Sequence, residues 1–302
     1  MRFRWTAIVV AGVLACGQPA GFAEQPVKDI AYAQVDGKSL LLDVYPAKGS
    51  AGRKAPCVIW IHGGGWYSGS KENPRCLPLV DRGFVVASIN YRLTSEAAFP
   101  AQIHDCKAAV RWIRSHADEH GIDPDRIGVM GLSAGGHLAA LVGTSGDVPE
   151  LEGDVGVTGV SSSVQAVVDG YGPSDFPAML AEISQRPTTA GPGRPSNLEA
   201  VEALLKRPTA EEVQSLAKVA SPVTYVRKGL PPFFIFHGTA DRTVPSAQSE
   251  ILHERLRKCG NDATLELMPG VGHSVQGPEI VDRVIAFFER TLKAKAPAPA
   301  AP

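Results

Sequence analysis

The chain is 302 residues long, with 30 basic and 31 acidic side chains, a formal net charge of −1 and 44% hydrophobic residues. That balance leaves no electrostatic footprint for a polyanion, so nucleic acid and an anionic membrane surface are set aside as partners. The length suits two small domains or one large α/β domain with a well-buried core.

Residues 1–23 read as a secretory signal peptide. Arg2 and Arg4 make a positive start, 6–15 is an apolar run too short to span a membrane, and Gly21 and Ala23 stand at the −3 and −1 positions before Glu24. The expected location is secreted or periplasmic, with no transmembrane segment. An alternative stays open: Val13-Leu14-Ala15-Cys16 is a loose lipobox, in which Cys16 would carry a lipid anchor.

The folded domain is expected over 28–292. It opens with strands at 30–34 and 39–45 around the turn signal Asp36-Gly37, a hairpin. Short buried strands follow at 56–61, 84–90, 126–130, 164–169, 233–236 and 264–268. Helical patterns lie between several of them, at 102–120, 134–143, 246–259 and 279–292. Buried strands joined by helices imply a mostly parallel central sheet flanked by helices. Residues 177–210 break the rhythm with Pro177, Pro187, Pro192, Pro195 and Pro208 among short helical pieces. They read as a small cap-like insertion, either a lid or a surface excursion. The Ala- and Pro-rich tail, 293–302, is expected to be disordered. Cys57, Cys76, Cys106 and Cys259 are widely spaced without CxxC pairs, so no metal site is suggested, while disulfides and free thiols both remain open.

Gly131-Leu132-Ser133-Ala134-Gly135 directly follows a predicted strand and precedes a predicted helix. That is the setting of a nucleophile elbow, in which small residues flank a serine lifted clear of the sheet at a helix N-terminus. His62-Gly63-Gly64-Gly65-Trp66 ends the first buried strand. Backbone amides stabilise an oxyanion only where the chain approaches without side chains, and three glycines in a row permit this. The amides of Gly64, Gly65 and Ala134 are therefore the candidate oxyanion donors, and His62 shapes the loop.

A serine hydroxyl needs a base and an orienting carboxylate. Among eight histidines, His273 stands in a Gly-rich loop between the last strand and the last helix. Asp241 lies just past the strand before it, so the chain order is Ser, Asp, His. Asp175 is a rival acid, because it too follows a strand. His104, His116, His120, His137 and His253 fall in predicted helices as solvated or packing residues, and His237 reads as structural. Trp66, Tyr91 and Tyr171 are candidates to stack on a sugar or an aromatic acid, with core packing as the alternative.

Together these motifs resemble the α/β-hydrolase superfamily, on its hormone-sensitive-lipase-like carboxylesterase side. They resemble more closely the bifunctional feruloyl and acetyl-xylan esterases. The resemblance spans roughly residues 28–290. It rests on Trp60-Ile61-His62-Gly63-Gly64-Gly65-Trp66, Ser88-Ile89-Asn90-Tyr91-Arg92-Leu93, Phe99-Pro100-Ala101-Gln102, Gly131-Leu132-Ser133-Ala134-Gly135-Gly136 and the Asp241 and His273 loops. It implies an α/β-hydrolase fold and a triad of Ser133, Asp241 and His273 without metal or cofactor. The implied reaction is hydrolysis of a short-chain or aromatic acyl ester, free or linked to plant polysaccharide. Two other readings stand beside it: a prolyl-oligopeptidase-type peptidase, and a non-catalytic binding protein of the same fold. Oligomeric state is not legible.

Overall fold

A computed structural model of the protein describes residues 25–50, 52–185, 195–206 and 209–293. The leader with Cys16, and the tail from 294 on, lie outside the described residues. Strands β1 (Val27–Val35) and β2 (Lys38–Tyr45) form the expected hairpin. Asp36 and Gly37 both take positive φ, 51° and 78°, as a two-residue turn matching the right-handed twist of its strands demands.

Six further strands follow: β3 (Ala55–Ile61), β4 (Val85–Ile89), β5 (Ile122–Leu132), β6 (Ala166–Gly170), β7 (Phe233–Gly238) and β8 (Ala263–Met268). The sheet runs β1-β2-β4-β3-β5-β6-β7-β8, and every pairing from β4 to β8 is parallel. All seven residues of β3 are buried. Cys57, Ile59 and Ile61 enter one core and Val58 and Trp60 the other, which is the two-sided burial that a covered parallel sheet requires.

The helices are α1 (Ala101–Ser115), α2 (Ala134–Thr144), α3 (Phe176–Ile183), α4 (Asn197–Leu204), α5 (Ala210–Ala220), α6 (Ala247–Lys258) and α7 (Pro278–Phe288). Ile103 of α1, Leu138 of α2 and Leu252 of α6 share one core, whereas Val284 and Phe288 of α7 cover the opposite face. Within the expected insertion, α4 and α5 each begin with a reciprocal capping box, Ser196 with Glu199 and Thr209 with Glu212. Met179, Val201 and Leu204 pack into the main core, so part of this stretch is anchored.

Of the boundaries that differ from the pattern reading, two meet at one turn. Helix α1 stops at Ser115 instead of 120, and β5 starts at Ile122 instead of 126. Gly121, at φ 64°, turns the chain there, and its carbonyl accepts from Ala55, which draws the segment into the ladder beside β3. Cys57, Cys76, Cys106 and Cys259 are free thiols. Among the described residues no helix is long and apolar enough to cross a membrane.

Candidate active site

Sheet register gathers the sequence motifs at one edge. Ile61 pairs with Gly131, Leu132 with Gly170, Gly170 with Phe236, and Gly238 with Met268. The segments emerging beyond these carboxyl ends carry the glycine run, Ser133, Tyr171, Asp241 and His273, in the place where open α/β sheets bind ligands.

Ser133 has φ 56° and ψ −122°, a conformation that costs a non-glycine residue on the order of 1–3 kcal/mol and persists only where its surroundings impose it. The surroundings here are backbone. A Cβ on Gly135 would lie 2.1 Å from the Ile61 carbonyl oxygen, and one on Gly131 would lie 2.1 Å from the Gly135 oxygen. The elbow is thus pressed against the end of β3, and Ser133 N–H anchors it by donating to the Gly170 carbonyl at 2.8 Å. A Cβ on Gly63 would meet the Leu132 oxygen at 2.7 Å, so the glycine run lies directly against the elbow. Gly64, Gly65 and Trp66 all take positive φ. Ala134 opens α2, and its amide is one of the first-turn N–H groups that a helix leaves without an internal acceptor.

His273 Nε2 lies 2.9 Å from Ser133 Oγ, and His273 Nδ1 lies 2.7 Å from Asp241 Oδ2. Nδ1 facing a carboxylate carries the proton, which leaves Nε2 free to accept from the serine hydroxyl. Asp241 Oδ1 accepts from the amides of Thr243 at 2.7 Å and Val244 at 3.0 Å. Burial disfavours the ionised carboxyl, but the hydrogen bonds from His237 and His273 outweigh it and hold Asp241 well below the usual carboxylate range.

The BD-FAE family profile matches residues 42–256 of the chain. The chain belongs to the BD-FAE family. Among its relatives, esterase LipQ of Mycobacterium tuberculosis is 36% identical over 237 residues, which cover 77% of this chain and 53% of that protein. The chain spans about half the length of such relatives. A truncated carbohydrate esterase from gut microbiota superposes with a TM-score of 0.77 at 30% identity, over 90% of this chain and 99% of that one. Esterase Est2 of Thermogutta terrifontis, solved with propionate bound, gives 0.69 at 29% identity, over 89% and 96% of the two chains. That esterase is also described phosphorylated by paraoxon. With the sheet order, these neighbours make this BD-FAE chain an α/β-hydrolase fold.

Not every candidate in this BD-FAE chain reaches the edge. Trp66 is 3% exposed; its indole N–H donates to His137 Nδ1 at 3.1 Å, and His137 Nε2 in turn donates to the Ala220 carbonyl at 2.8 Å. Burial lowers His137 to about 4, so it stays a neutral packing residue. Tyr91 is equally buried, stacked on His62 at 4.3 Å, with its hydroxyl donating to the His62 carbonyl. Neither Trp66 nor Tyr91 can stack on a substrate; both hold the glycine run in place. Tyr171 does stand beside the site, its ring edge-on to His273 at 4.9 Å. Asp175 is the N-cap of α3, accepting from the Ala178 amide at 3.1 Å, and is occupied there.

His237, a structural residue in the sequence reading, touches the acid itself. Its Nε2 is 3.1 Å from Asp241 Oδ2 and 3.0 Å from the Val244 carbonyl, while Nδ1 is 2.7 Å from Ser249 Oγ. With two acceptors at Nε2, the proton resides there, and Ser249 donates to Nδ1. The available signal was the four-residue spacing from His237 to Asp241 across a Gly-containing turn.

Proposed function

We propose that the protein is a serine carboxylesterase that hydrolyses short-chain or aromatic acyl esters through a covalent acyl-enzyme, with Ser133, His273 and Asp241 as its triad. The observation that carries this reading is the unbroken hydrogen-bonded line from Ser133 Oγ through His273 to Asp241. In the first step Ser133 Oγ attacks the ester carbonyl carbon as His273 Nε2 takes its proton. Asp241 keeps the imidazole oriented and stabilises its cation. The amides of Gly64, Gly65 and Ala134 receive the negative oxygen, each such donor contributing roughly 3–4 kcal/mol in hydrolases of this type. Collapse of the tetrahedral species expels the alcohol, protonated by His273. Water, deprotonated by the same imidazole, then releases the acid and restores Ser133.

Likeness to a carbohydrate esterase supports acetyl or feruloyl decorations of plant polysaccharide as the substrate class. The leader read at 1–23 supports a site of action outside the cytoplasm, where such material is met. Replacing Ser133 with Ala should lower turnover of p-nitrophenyl acetate by at least about a thousandfold. Paraoxon should add one phosphoryl adduct to the wild type, mapped by peptide mass spectrometry to Ser133, and none to the variant. Near-wild-type turnover by Ser133→Ala would overturn the reading.

A further inference from the structure

A cavity of about 320 Å³ opens beside the triad on the α7 side of the sheet. Its mouth is formed at the carboxyl edge by Leu132, which immediately precedes Ser133, by Ser274, which immediately follows His273, and by Tyr171, whose ring abuts His273. From there it runs down between strand and helix. Met130 and Phe236 supply the sheet wall, and Ile280 and Val284, one helical turn apart on α7, supply the opposite one. Polar groups gather at the mouth, where Arg75, Ser274 and Gln276 stand. The buried lining at the deep end is hydrocarbon apart from the thioether of Met130 and the thiol of Cys76.

This division of chemistry selects the occupant. A sugar hydroxyl or a charged group in the deep end would lose its water without gaining a strong hydrogen bond in return. A hydrocarbon chain gains there with each methylene removed from water. Between Gly277 and Ile285 the α7 wall runs about 12 Å at a helical rise of ~1.5 Å per residue, so the space is elongated. At about 30 Å³ per small group, the share of one water in the liquid, it holds roughly ten methylene-sized units.

We propose that this cavity receives an apolar chain, about six to ten carbons long, so that beside short-chain and aromatic esters the enzyme takes medium-chain ones, and among simple esters turns these over faster than acetates of small alcohols. The proposal rests on Ser133 being the nucleophile. The chain can come from the acid or from the alcohol half of the ester, and separate substrate series tell the two apart.

The test measures kcat/KM of the full chain on p-nitrophenyl esters from acetate to dodecanoate, and on acetates of alcohols from ethanol to dodecanol. In one series the wild type should favour the eight-carbon member over the two-carbon member at least tenfold, then fall off by twelve carbons. Val284→Phe and Ile280→Phe, which fill the cavity from two positions, should each cut that ratio at least tenfold; thermal melts identify the variant that remains folded. Val284→Ala, which enlarges the space, should move the optimum to a longer chain. A flat profile in both series overturns the proposal, as does a length preference that survives both Phe substitutions. Ester turnover that persists in Ser133→Ala overturns the nucleophile reading instead, so the two failures are distinguishable.

Discussion

Four donors converge on the two oxygens of Asp241: two backbone amides on Oδ1, and the imidazoles of His237 and His273 on Oδ2. The amides fix the carboxylate plane, and His237 pins the oxygen that His273 must meet. On the proposed triad, His237 is therefore a positioning residue that acts through Asp241. Replacing it with Phe keeps a ring of similar size and removes the donor. A hydrogen bond to a charged group contributes about 1.5–3 kcal/mol, so kcat on a simple ester should fall on the order of tenfold or more with KM little changed. His237→Gln, which can present an amide N–H near the Nε2 position, should restore most of kcat. A purely structural role would instead lower stability without this split and without rescue. At this scale the convergence of Ser133, Asp241 and His273 was legible, because each stands in a short motif with a fixed place after a strand. Trp66 and Tyr91 were not. Trp66 has φ 61° in a run of positive-φ residues, and no periodicity tells which way such a side chain turns.

Helix α3 illustrates how an element reassigns a residue. From the sequence, Asp175 competed with Asp241 because both follow a strand. The structure places Asp175 at the start of α3, where its carboxylate satisfies the Ala178 amide. Asp175→Ala should therefore lower unfolding free energy by about 1 kcal/mol, as loss of an N-cap does, and leave kcat near the wild-type value. Asp241→Ala should instead remove most of kcat. Chemical denaturation and steady-state kinetics on the pair distinguish the two carboxylates, and collapse of kcat in Asp175→Ala would reverse the assignment. The strands were readable because two-sided burial leaves continuous apolar runs. Helix ends were less so: α1 ends early because Gly121 hands the chain to β5, a pairing partner remote in sequence.

In the molecule as a whole, one buried carboxyl should set a pH dependence of stability apart from that of Asp241. Asp169 lies one residue before the end of β6 with its side chain enclosed; Oδ1 accepts from the Gly172 amide at 2.9 Å, and Oδ2 meets no hydrogen-bond donor among the described residues. Burial pushes it up to about 6, against the lesser pull of the Gly172 amide and His237. A carboxyl raised above its ordinary 3.8 makes the folded state bind more protons than the unfolded chain between about pH 4 and 6. Stability should decline as pH rises through that window, by on the order of 3 kcal/mol at most, and level off above it. Asp169→Asn cannot ionise and should lack the decline; denaturant midpoints from pH 4.5 to 7.5 would show an unchanged slope if another group were responsible. Asp241 contributes in the opposite sense, because its depressed carboxyl stabilises the fold at neutral pH and that contribution fades as pH falls below about 4.

By itself the sequence determined the alternation of buried strands and helices, the elbow, the glycine run and the placing of Ser133, Asp241 and His273 each after a strand. All of these are local patterns imposed by backbone geometry and spacing along the chain. Only the tertiary structure decided which aromatic rings are walls and which are core, that Asp175 is a cap, that a second imidazole braces Asp241, and that an apolar cavity opens beside His273. Each of these depends on the space between elements distant in sequence, and that space exists only once sheet register and helix packing have brought them together.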